Sequence, residues 1–344
     1  MWGDNKCFII AELSANHGGK LEIALETVRA AKRSGADAIK LQTYTADTIT
    51  LNVRNEHFMI KQGTHWDGQY LYDLYQGAYL PWEWHAPIME EAKKQGLVCF
   101  SSPFDFTAVD FLENLNVPAY KIASFEINDI PLIEAVASKG KPVIISTGIA
   151  GLEDIELAIA TCRKVGNNDI TLLQCTSEYP ALPENANLLT IPDMAIRFGV
   201  KVGLSDHTMG IEAPVVAVAL GAMVIEKHFI LDKAIGGADA HFSLDEKEFK
   251  QMVESVRLTE KMLGKPNYEM TEKKKRSREF SRSLYVSQDI QAGEVFTAAN
   301  VRSVRPAFGL HTKYYKKILG KVAKANYEKG TPLSLDMFDG LYEA

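Results

Sequence analysis

The sequence predicts a (β/α)8 TIM barrel followed by a small β-rich domain. Eight short apolar runs, rich in β-branched residues, each precede a segment of helical periodicity. Together they occupy about 260 residues, the usual size of such barrels. The alternative, an open doubly wound sheet, is disfavoured because no Gly-x-Gly-x-x-Gly follows the first strand. After Ser283 the periodicity changes to short strand-like pieces separated by turn residues, which indicates a second domain.

The predicted strands are continuous apolar runs, the pattern of strands buried on both faces. They cover residues 7–11, 38–42, 97–100, 119–123, 142–146, 170–174, 202–204 and 222–225. The predicted helices cover residues 21–34, 84–95, 106–115, 130–138, 153–165, 188–198, 211–220 and 246–263. Residues 43–80 form a long insertion rich in Tyr and Asp, and insertions of this length in compact domains are usually functional.

Changes in the pattern of apolar and charged residues along the chain indicate the domain boundaries. Residues 1–265 are predicted as the catalytic barrel, residues 266–281 as a charged linker or exposed helix, and residues 282–344 as the β-rich domain. Strand-like pieces in the last domain lie at residues 284–286, 294–296 and 301–304. At roughly 60 residues this domain has a limited core, so we expect it to pack on a partner surface.

Composition excludes several classes of function. The 344-residue chain has a formal net charge of −6, which argues against a nucleic-acid partner. Its four cysteines show no Cys-x-x-Cys spacing, which favours a reducing compartment. Neither a signal-peptide core nor an apolar run long enough to span a bilayer is present. We therefore expect a cytoplasmic protein without a membrane partner.

Nearly every predicted strand ends in a hydroxyl or a charged residue. In a parallel barrel these side chains converge on one pocket at the C-terminal ends of the strands. They are Glu12, Lys40, Gln42, Ser101, Ser102, Lys121, Ser124, Glu126, Ser146, Thr147, Thr176, Ser177, Tyr179, Ser205, Asp206, His207, Glu226 and His228.

Lys40 and Lys121 are the strongest ligand-binding candidates in this set. Both lie within apolar strands, where an unpaired ammonium group is costly. With the neighbouring hydroxyls they provide the point charges and donors that a small phosphorylated, carboxylated ligand needs.

His207 and His228 end two consecutive strands joined by a helix, so both are expected at the same mouth. Two imidazoles with nearby carboxylates suit a divalent metal with open coordination positions. The alternative is that both are polar residues capping strand ends. From the residues alone, a metal-dependent aldolase or sugar-phosphate epimerase also remains open. A carbohydrate- or ice-binding role for the C-terminal domain is a third interpretation, although that domain lacks a regular Thr repeat.

The chain resembles the sialic acid synthase family, the phosphoenolpyruvate-dependent synthases of nine-carbon α-keto acid sugars. The resemblance extends over essentially the whole chain. Its landmarks are residues 10–18, 40–42, 101–104, 120–124, 146–148, 203–207, 226–229, 282–285 and 304–306. Four segments most resemble the branch that makes pseudaminic acid from 2,4-diacetamido-2,4,6-trideoxy-L-altrose: residues 42–45, 81–85, 124–126 and 304–311.

This resemblance implies roles for individual residues. His207 and His228 are expected to bind a divalent metal, Mn²⁺ or Mg²⁺, and to be catalytic together with Glu12. The residues expected on the phosphoenolpyruvate side are Lys40, Ser102, Lys121, Ser124, Ser146, Ser177 and Ser205. Those expected to contact the diacetamido-trideoxy hexose are Gln42, Phe104, Tyr179, Asp239 and Arg305.

The resemblance also implies a C-terminal antifreeze-like (SAF) domain and a domain-swapped homodimer in which the partner subunit supplies Arg305. Two residues depart from the pattern of the N-acetylneuraminate branch. That branch has Asn where Ser177 stands and Thr where Ser102 stands. Both changes make N-acetylmannosamine a less suitable substrate.

Overall fold

The chain forms two compact units, the first ending at Gly264 and the second beginning at Lys265. The structure is a computed structural model and describes residues 6–61, 63 and 66–340. The first unit is a closed barrel of eight parallel strands in sequential order, with β8 pairing with β1, which confirms the predicted fold class. In the described part of the chain, no helix combines the length and the apolar character needed to cross a bilayer.

The barrel strands are short and almost entirely buried. They are β1 (Phe8–Glu12), β2 (Ala38–Thr43), β3 (Val98–Pro103), β4 (Tyr120–Ile122), β5 (Val143–Ser146), β6 (Ile170–Cys175), β7 (Lys201–Asp206) and β8 (Val224–His228). Strands β7 and β8 extend further than predicted, because Asp206 still pairs with Lys227 and His228 still pairs with Glu12. Polar residues therefore continue the ladder beyond the point where the apolar runs stop.

Helices cover the outside of the barrel and occur within the long insertion. They are α1 (Leu21–Arg33), α2 (Ala46–Ile49), α3 (Leu71–Ala78), α4 (His85–Gln95), α5 (Phe106–Asn114), α6 (Ile130–Ala137), α7 (Leu152–Lys164), α8 (Thr190–Phe198), α9 (Glu212–Ala219) and α10 (Glu246–Leu263). The closing helix α10 begins with a capping box in which Asp245 accepts from the Glu248 amide and Glu248 accepts from the Asp245 amide.

An apolar layer fills the lower interior of the barrel. It consists of Ile10, Ala38, Phe100, Ala119, Ile144, Leu173 and Val224, one residue from each of seven strands or strand starts. Side chains alternate across a strand, so the residue two positions further on also points into the barrel. This periodicity places Glu12, Lys40, Ser102, Lys121, Ser146 and Glu226 in the next layer, directly above an apolar floor.

The second unit is small and mostly irregular. It contains an exposed helix α11 (Glu272–Arg278), a two-stranded antiparallel sheet of β9 (Ser283–Val286) and β10 (Val301–Val304), and helix α12 (Tyr315–Ile318). The strand predicted at residues 294–296 is wrong. Val295 makes an isolated antiparallel bridge to Val322. The pairing is bounded by Gly293 and Gly320, whose amides donate across it and whose φ angles are 89° and 87°, so it is too short to form a regular strand.

Candidate active site

Four charged side chains form a buried cluster in the polar layer of the barrel. Lys40 Nζ lies 2.5 Å from Glu12 Oε2 and 3.9 Å from Glu226 Oε1. Lys121 Nζ lies 3.6 Å from the same Glu226 oxygen. All four side chains are at most 6% exposed. Two ammonium groups thus face two carboxyl groups, which keeps the cluster close to neutral in the absence of substrate.

Burial and pairing act against each other in this cluster. Burial raises the pKa of Glu12, and the neighbouring Lys40 ammonium only partly offsets it. Burial also opposes ionisation of Glu226, but the ammonium groups of Lys121 and Lys40 outweigh it and hold the pKa of Glu226 below its ordinary value. Burial lowers the pKa of Lys121, with partial opposition from Glu226. Glu226 is therefore the anion of the cluster, and Glu12 is the carboxyl group whose charge responds most readily to its surroundings.

Serine hydroxyls surround the charges. Ser102 Oγ accepts from Lys40 at 3.3 Å, and Ser146 Oγ accepts from Lys121 at 2.6 Å. Ser205 donates to Glu226 Oε1 at 3.0 Å. The structure thus brings these three predicted serines into contact with the charged cluster.

Ser124 and Ser177 meet each other instead of a lysine. Their hydroxyl oxygens lie 2.7 Å apart. A Cβ at Gly148 would lie 2.2 Å from Ser177 Oγ and 2.7 Å from Ser124 Oγ. Gly148 therefore leaves the space that both hydroxyls occupy, which makes it part of the site.

The two histidines lie side by side above the charged cluster. Their ring centroids are 5.3 Å apart, and the Tyr179 ring contacts His207 in a tilted arrangement, with centroids 4.4 Å apart and an interplanar angle of 40°. His207 Nδ1 is 2.8 Å from the carbonyl oxygen of Thr176, which fixes the ring and leaves Nε2 as the nitrogen able to bind a metal.

The surroundings of His228 test whether a divalent metal fits here. Its Nδ1 is buried and makes no hydrogen bond within the described structure, while Oδ2 of Asp239 lies 3.5 Å away. Among the described residues, no cluster of three or more His, Cys, Asp or Glu side chains has the geometry of a metal site. The donor types present, two imidazoles with a nearby carboxylate, are nevertheless those that a divalent ion with open coordination positions accepts.

A large cavity opens above these groups. Its volume is about 1240 Å³, enough for a monosaccharide derivative together with a three-carbon acid. Gln42, Phe104, Tyr179 and Asp239, four of the predicted sugar-side residues, line it. Gln42 also donates to Glu12 Oε1 at 3.2 Å, which joins the cavity to the charged cluster. Arg305, the fifth predicted residue, is exposed directly after β10 and belongs to the second unit.

Two acidic residues of this site carried no role in the sequence-based assignment. Glu226 was recognised as a mouth residue, but only its contacts with Lys40 and Lys121 indicate its importance. Glu126 lines the cavity, and its Oε2 is buried without a hydrogen-bond partner in the described structure. The position of both residues at a strand end was the only indication in the sequence that they belong to the site. Their side-chain partners could not be predicted from the sequence.

The buried carboxyl group of Glu126 predicts a pH-dependent stability. Burial raises its pKa from the ordinary value of 4.5 to about 7, against partial opposition from Lys121. The folded protein therefore binds this proton more tightly than the unfolded chain. The stabilisation is fully present below pH 4.5 and is lost as the pH rises through about 7. Glu126→Gln removes the titration, so the variant should gain up to about 3 kcal/mol relative to wild type between pH 5 and pH 8.

Urea unfolding of wild type and Glu126→Gln at pH 5 and at pH 8 measures this difference. Glu113→Gln provides a control without this dependence, because hydrogen bonds from Tyr120 and Lys141 lower the pKa of Glu113 below its ordinary value of 4.5. Glu113 therefore stays ionised in folded protein above pH 5, and the stability difference between this variant and wild type should change little from pH 5 to pH 8. Parallel pH dependence of wild type and Glu126→Gln would contradict the burial of an unpaired carboxyl group.

Sequence comparison identifies the class of protein that this barrel and site define. Residues 27–268 match the NeuB family, and residues 281–339 match the SAF domain. The chain belongs to the NeuB family, and the resemblance to sialic acid synthases with a C-terminal SAF domain is confirmed.

Individual relatives indicate the branch of this family more specifically. The chain is 52% identical over 330 residues to the pseudaminic acid synthase of Campylobacter jejuni strain 81-176, covering 96% of each chain. It is 50% identical over 329 residues to the pseudaminic acid synthase of Helicobacter pylori strain 26695, covering 95% of this chain and 96% of the other. The crystal structure of N-acetylneuraminic acid synthetase from Leptospira borgpetersenii is 33% identical with a TM-score of 0.70, covering 80% of this chain and 91% of the other.

Proposed function

We propose that this protein condenses phosphoenolpyruvate with 2,4-diacetamido-2,4,6-trideoxy-L-altrose and water to give pseudaminic acid and phosphate. It is a transferase that forms a C–C bond. The observation that carries the proposal is the buried Lys40–Glu12–Glu226–Lys121 cluster beneath two histidines and a sugar-sized cavity. The choice of branch is supported by the identity to pseudaminic acid synthases, which exceeds that to the N-acetylneuraminic acid synthetase by almost twenty percentage points, 52% against 33%.

Binding of phosphoenolpyruvate is assigned to the lower part of the site. Lys40 and Lys121 provide two point charges for its phosphate and carboxylate, and Ser102, Ser146 and Ser205 provide donors of fixed geometry. The paired hydroxyls of Ser124 and Ser177 add further donors next to Gly148. Holding both anionic groups directs C3, the nucleophilic carbon, towards the cavity, which is chiefly a positioning effect.

The reaction begins when C3 attacks the aldehyde carbon of the open-chain sugar. Positive charge develops at C2 of phosphoenolpyruvate, and Glu12 is placed to stabilise it as a carboxylate. Water then adds at C2, and the tetrahedral intermediate releases phosphate by C–O cleavage. Gln42, Phe104, Tyr179 and Asp239 are assigned to orienting the sugar, with the Gln42–Glu12 hydrogen bond linking the two halves of the site.

A divalent metal, Mn²⁺ or Mg²⁺, is assigned to His207 and His228. The chemistry that it supplies when bound is Lewis-acid polarisation of a carbonyl oxygen. The Thr176 carbonyl selects the tautomer of His207 that suits ligation, and the buried Nδ1 of His228 without a hydrogen bond supports the same assignment.

Phosphate release in the presence of Mn²⁺ tests the proposed reaction. The sugars compared are 2,4-diacetamido-2,4,6-trideoxy-L-altrose, the mannose-configured diacetamido sugar and N-acetylmannosamine. Release only with the altrose sugar is expected. Release with the mannose-configured sugar would keep the reaction and assign the legionaminate branch, whereas N-acetylmannosamine would assign the N-acetylneuraminate branch. No release by folded, metal-loaded protein would favour the metal-dependent aldolase or epimerase interpretation.

A domain-swapped homodimer is proposed, in which Arg305 completes the site of the other subunit. No arginine lines the cavity in the described part of the barrel, although the sugar carries several acceptor oxygens. Arg305 is exposed in the second unit and so is available to another chain. We expect light scattering to give the mass of a dimer.

A mixed dimer gives the decisive prediction about Arg305. His207→Ala and Arg305→Ala should each have little activity at low sugar concentration. Co-expression should restore about a quarter of wild-type activity, since half of the dimers are mixed and each mixed dimer contains one complete site. If Arg305 instead served its own subunit, every site would keep one defect and no activity would return. The activity of co-purified tagged pairs distinguishes the two cases.

The reaction is assigned to the bacterial cytoplasm. Cys7, Cys99, Cys162 and Cys175 are all buried free thiols. Free thiols of this kind are typical of reducing compartments.

A further inference from the structure

A buried ion pair lies on the outer side of the two strands that carry the histidines. Asp206 and Lys227 are partners in the ladder between β7 and β8. Lys227 Nζ lies 2.5 Å from Asp206 Oδ2, and their side chains are 0% and 2% exposed. Neither residue lines the cavity or belongs to the charged cluster. A pair so deeply buried is expensive to desolvate, which makes a purely stabilising role a weak explanation.

The pair holds the backbone that follows β7. Lys227 Nζ also donates to the carbonyl oxygen of Thr208. Asp206 Oδ1 accepts from the Thr208 amide at 2.9 Å and from the Thr208 hydroxyl at 2.8 Å. One ammonium group on β8 is thus bound to both ends of the segment 206–208, and His207 is the residue between them.

The same pair directly precedes the two histidines along their strands. His207 follows Asp206 and His228 follows Lys227, so each histidine is the next residue after a member of the pair. Close approach of the two strands begins at Gly203, where a Cβ would lie 2.3 Å from the carbonyl oxygen of Val224. Two further hydrogen bonds of His207 come from another part of the chain: its Nδ1 lies 2.8 Å from the Thr176 carbonyl oxygen, and its own carbonyl oxygen accepts from the Ala181 amide.

We propose that Asp206 and Lys227 are positioning residues for metal binding: their ion pair sets the distance and orientation between His207 and His228. This inference rests on the proposed function, because it requires that the two histidines bind a divalent ion. Groups that orient metal ligands typically contribute 10- to 100-fold to metal affinity. An ion pair that links the two ligand-bearing strands should contribute in that range.

The experiment separates positioning from stability. Lys227→Met leaves a buried carboxylate without its cation and should strongly destabilise the protein. The double variant Asp206→Leu/Lys227→Met replaces the pair with apolar side chains and should recover most of that stability. It should nevertheless bind Mn²⁺ about 10- to 100-fold more weakly than wild type. The free Mn²⁺ signal in electron paramagnetic resonance titrations gives the affinity, and urea unfolding gives the stability.

Arg257→Met is the matched control. Arg257 pairs with Asp37 at 2.8 Å, and Asp37 accepts from the Ile9 amide near the start of β1, at the opposite end of the barrel. This variant should lose stability without a change in Mn²⁺ affinity. Asp206→Asn retains the shape of the side chain and serves if the double variant does not fold; its Mn²⁺ affinity should lie between those of wild type and the range expected for the double variant.

The outcomes are distinct. Wild-type protein that binds no Mn²⁺ would contradict the proposed metal site itself. Wild-type binding with unchanged affinity in the folded double variant, or in Asp206→Asn, would overturn the positioning role and leave the proposed function intact. Weaker binding in Arg257→Met as well would mean that lost stability alone lowers the affinity.

Discussion

Replacing Lys40 with Met should lower both the stability of the barrel and its affinity for phosphoenolpyruvate. Lys40 is 3% exposed and lies 2.5 Å from Glu12 and 3.9 Å from Glu226. Without its ammonium group, two buried carboxyl groups share the single charge of Lys121. Breaking a buried ion pair by removing one partner typically costs about 3–5 kcal/mol of unfolding free energy. This loss should shrink towards pH 5, where Glu12, whose pKa burial already raises, accepts a proton more readily.

The affinity for phosphoenolpyruvate should fall for a separate reason. Loss of a buried charge partner costs about 2–5 kcal/mol of binding free energy, so the dissociation constant should rise at least about 30-fold. Isothermal titration with phosphoenolpyruvate measures this rise, and urea unfolding measures the stability.

The double variant Lys40→Met/Glu12→Gln distinguishes the two effects. It removes both members of the closest pair, so much of the stability should return because no carboxylate is left beside an apolar side chain. Phosphoenolpyruvate binding should stay weak, since the positive charge is still absent. Recovery of both properties together would mean that Lys40 is a structural partner of Glu12 and not a ligand of the substrate.

The barrel fold and the set of residues at its mouth could be predicted from the sequence, because both depend on local patterns. A continuous apolar run indicates a strand buried on both faces, and a lysine such as Lys40 within such a run has few structural explanations. Parallel strands bring their C-terminal ends together whatever their detailed register. This geometry explains why residues as distant in sequence as Glu12 and His228 were expected in one pocket.

The pairing of side chains within the mouth could not be predicted, because it depends on the register of the closed barrel and on loop conformation. Ser124 meets Ser177 only because Gly148, on the intervening β5–α7 connection, leaves space for both hydroxyls. Asp206 and Lys227 face away from the mouth, since side chains alternate along each strand. The sequence shows that both are charged and near the histidines, but their mutual contact is evident only from the ladder between β7 and β8.

The role of Arg305 could not be derived from sequence patterns for a different reason. Arg305 follows a predicted strand-like piece, and its role was inferred only from family resemblance. The second unit has its own small core, which includes Phe296 and Phe338. A contact between chains leaves no periodic pattern in the sequence of one chain, which is why the mixed-dimer experiment is needed.

Replacing His207 with Ala should abolish turnover while leaving the barrel folded. The imidazole contacts the tilted Tyr179 ring and lies 5.3 Å from the His228 ring, but it is not part of the apolar layer that fills the barrel. Lewis-acid polarisation is worth several kcal/mol, so kcat should fall about 1000-fold or more. Mn²⁺ affinity, measured by electron paramagnetic resonance, should fall in parallel because one of the two imidazoles proposed to hold the ion is lost.

His241→Ala provides the matched control for metal binding. His241 also lines the cavity but is exposed, so this variant should retain wild-type Mn²⁺ affinity. His228→Ala should behave like His207→Ala, because each histidine alone leaves the ion with a single protein imidazole. Full turnover by metal-stripped His207→Ala would exclude the metal assignment, and the aldehyde would then have to be activated by a different donor. Equal losses of Mn²⁺ affinity in His241→Ala and His207→Ala would instead indicate that the metal binds at the rim of the cavity and not at the strand ends.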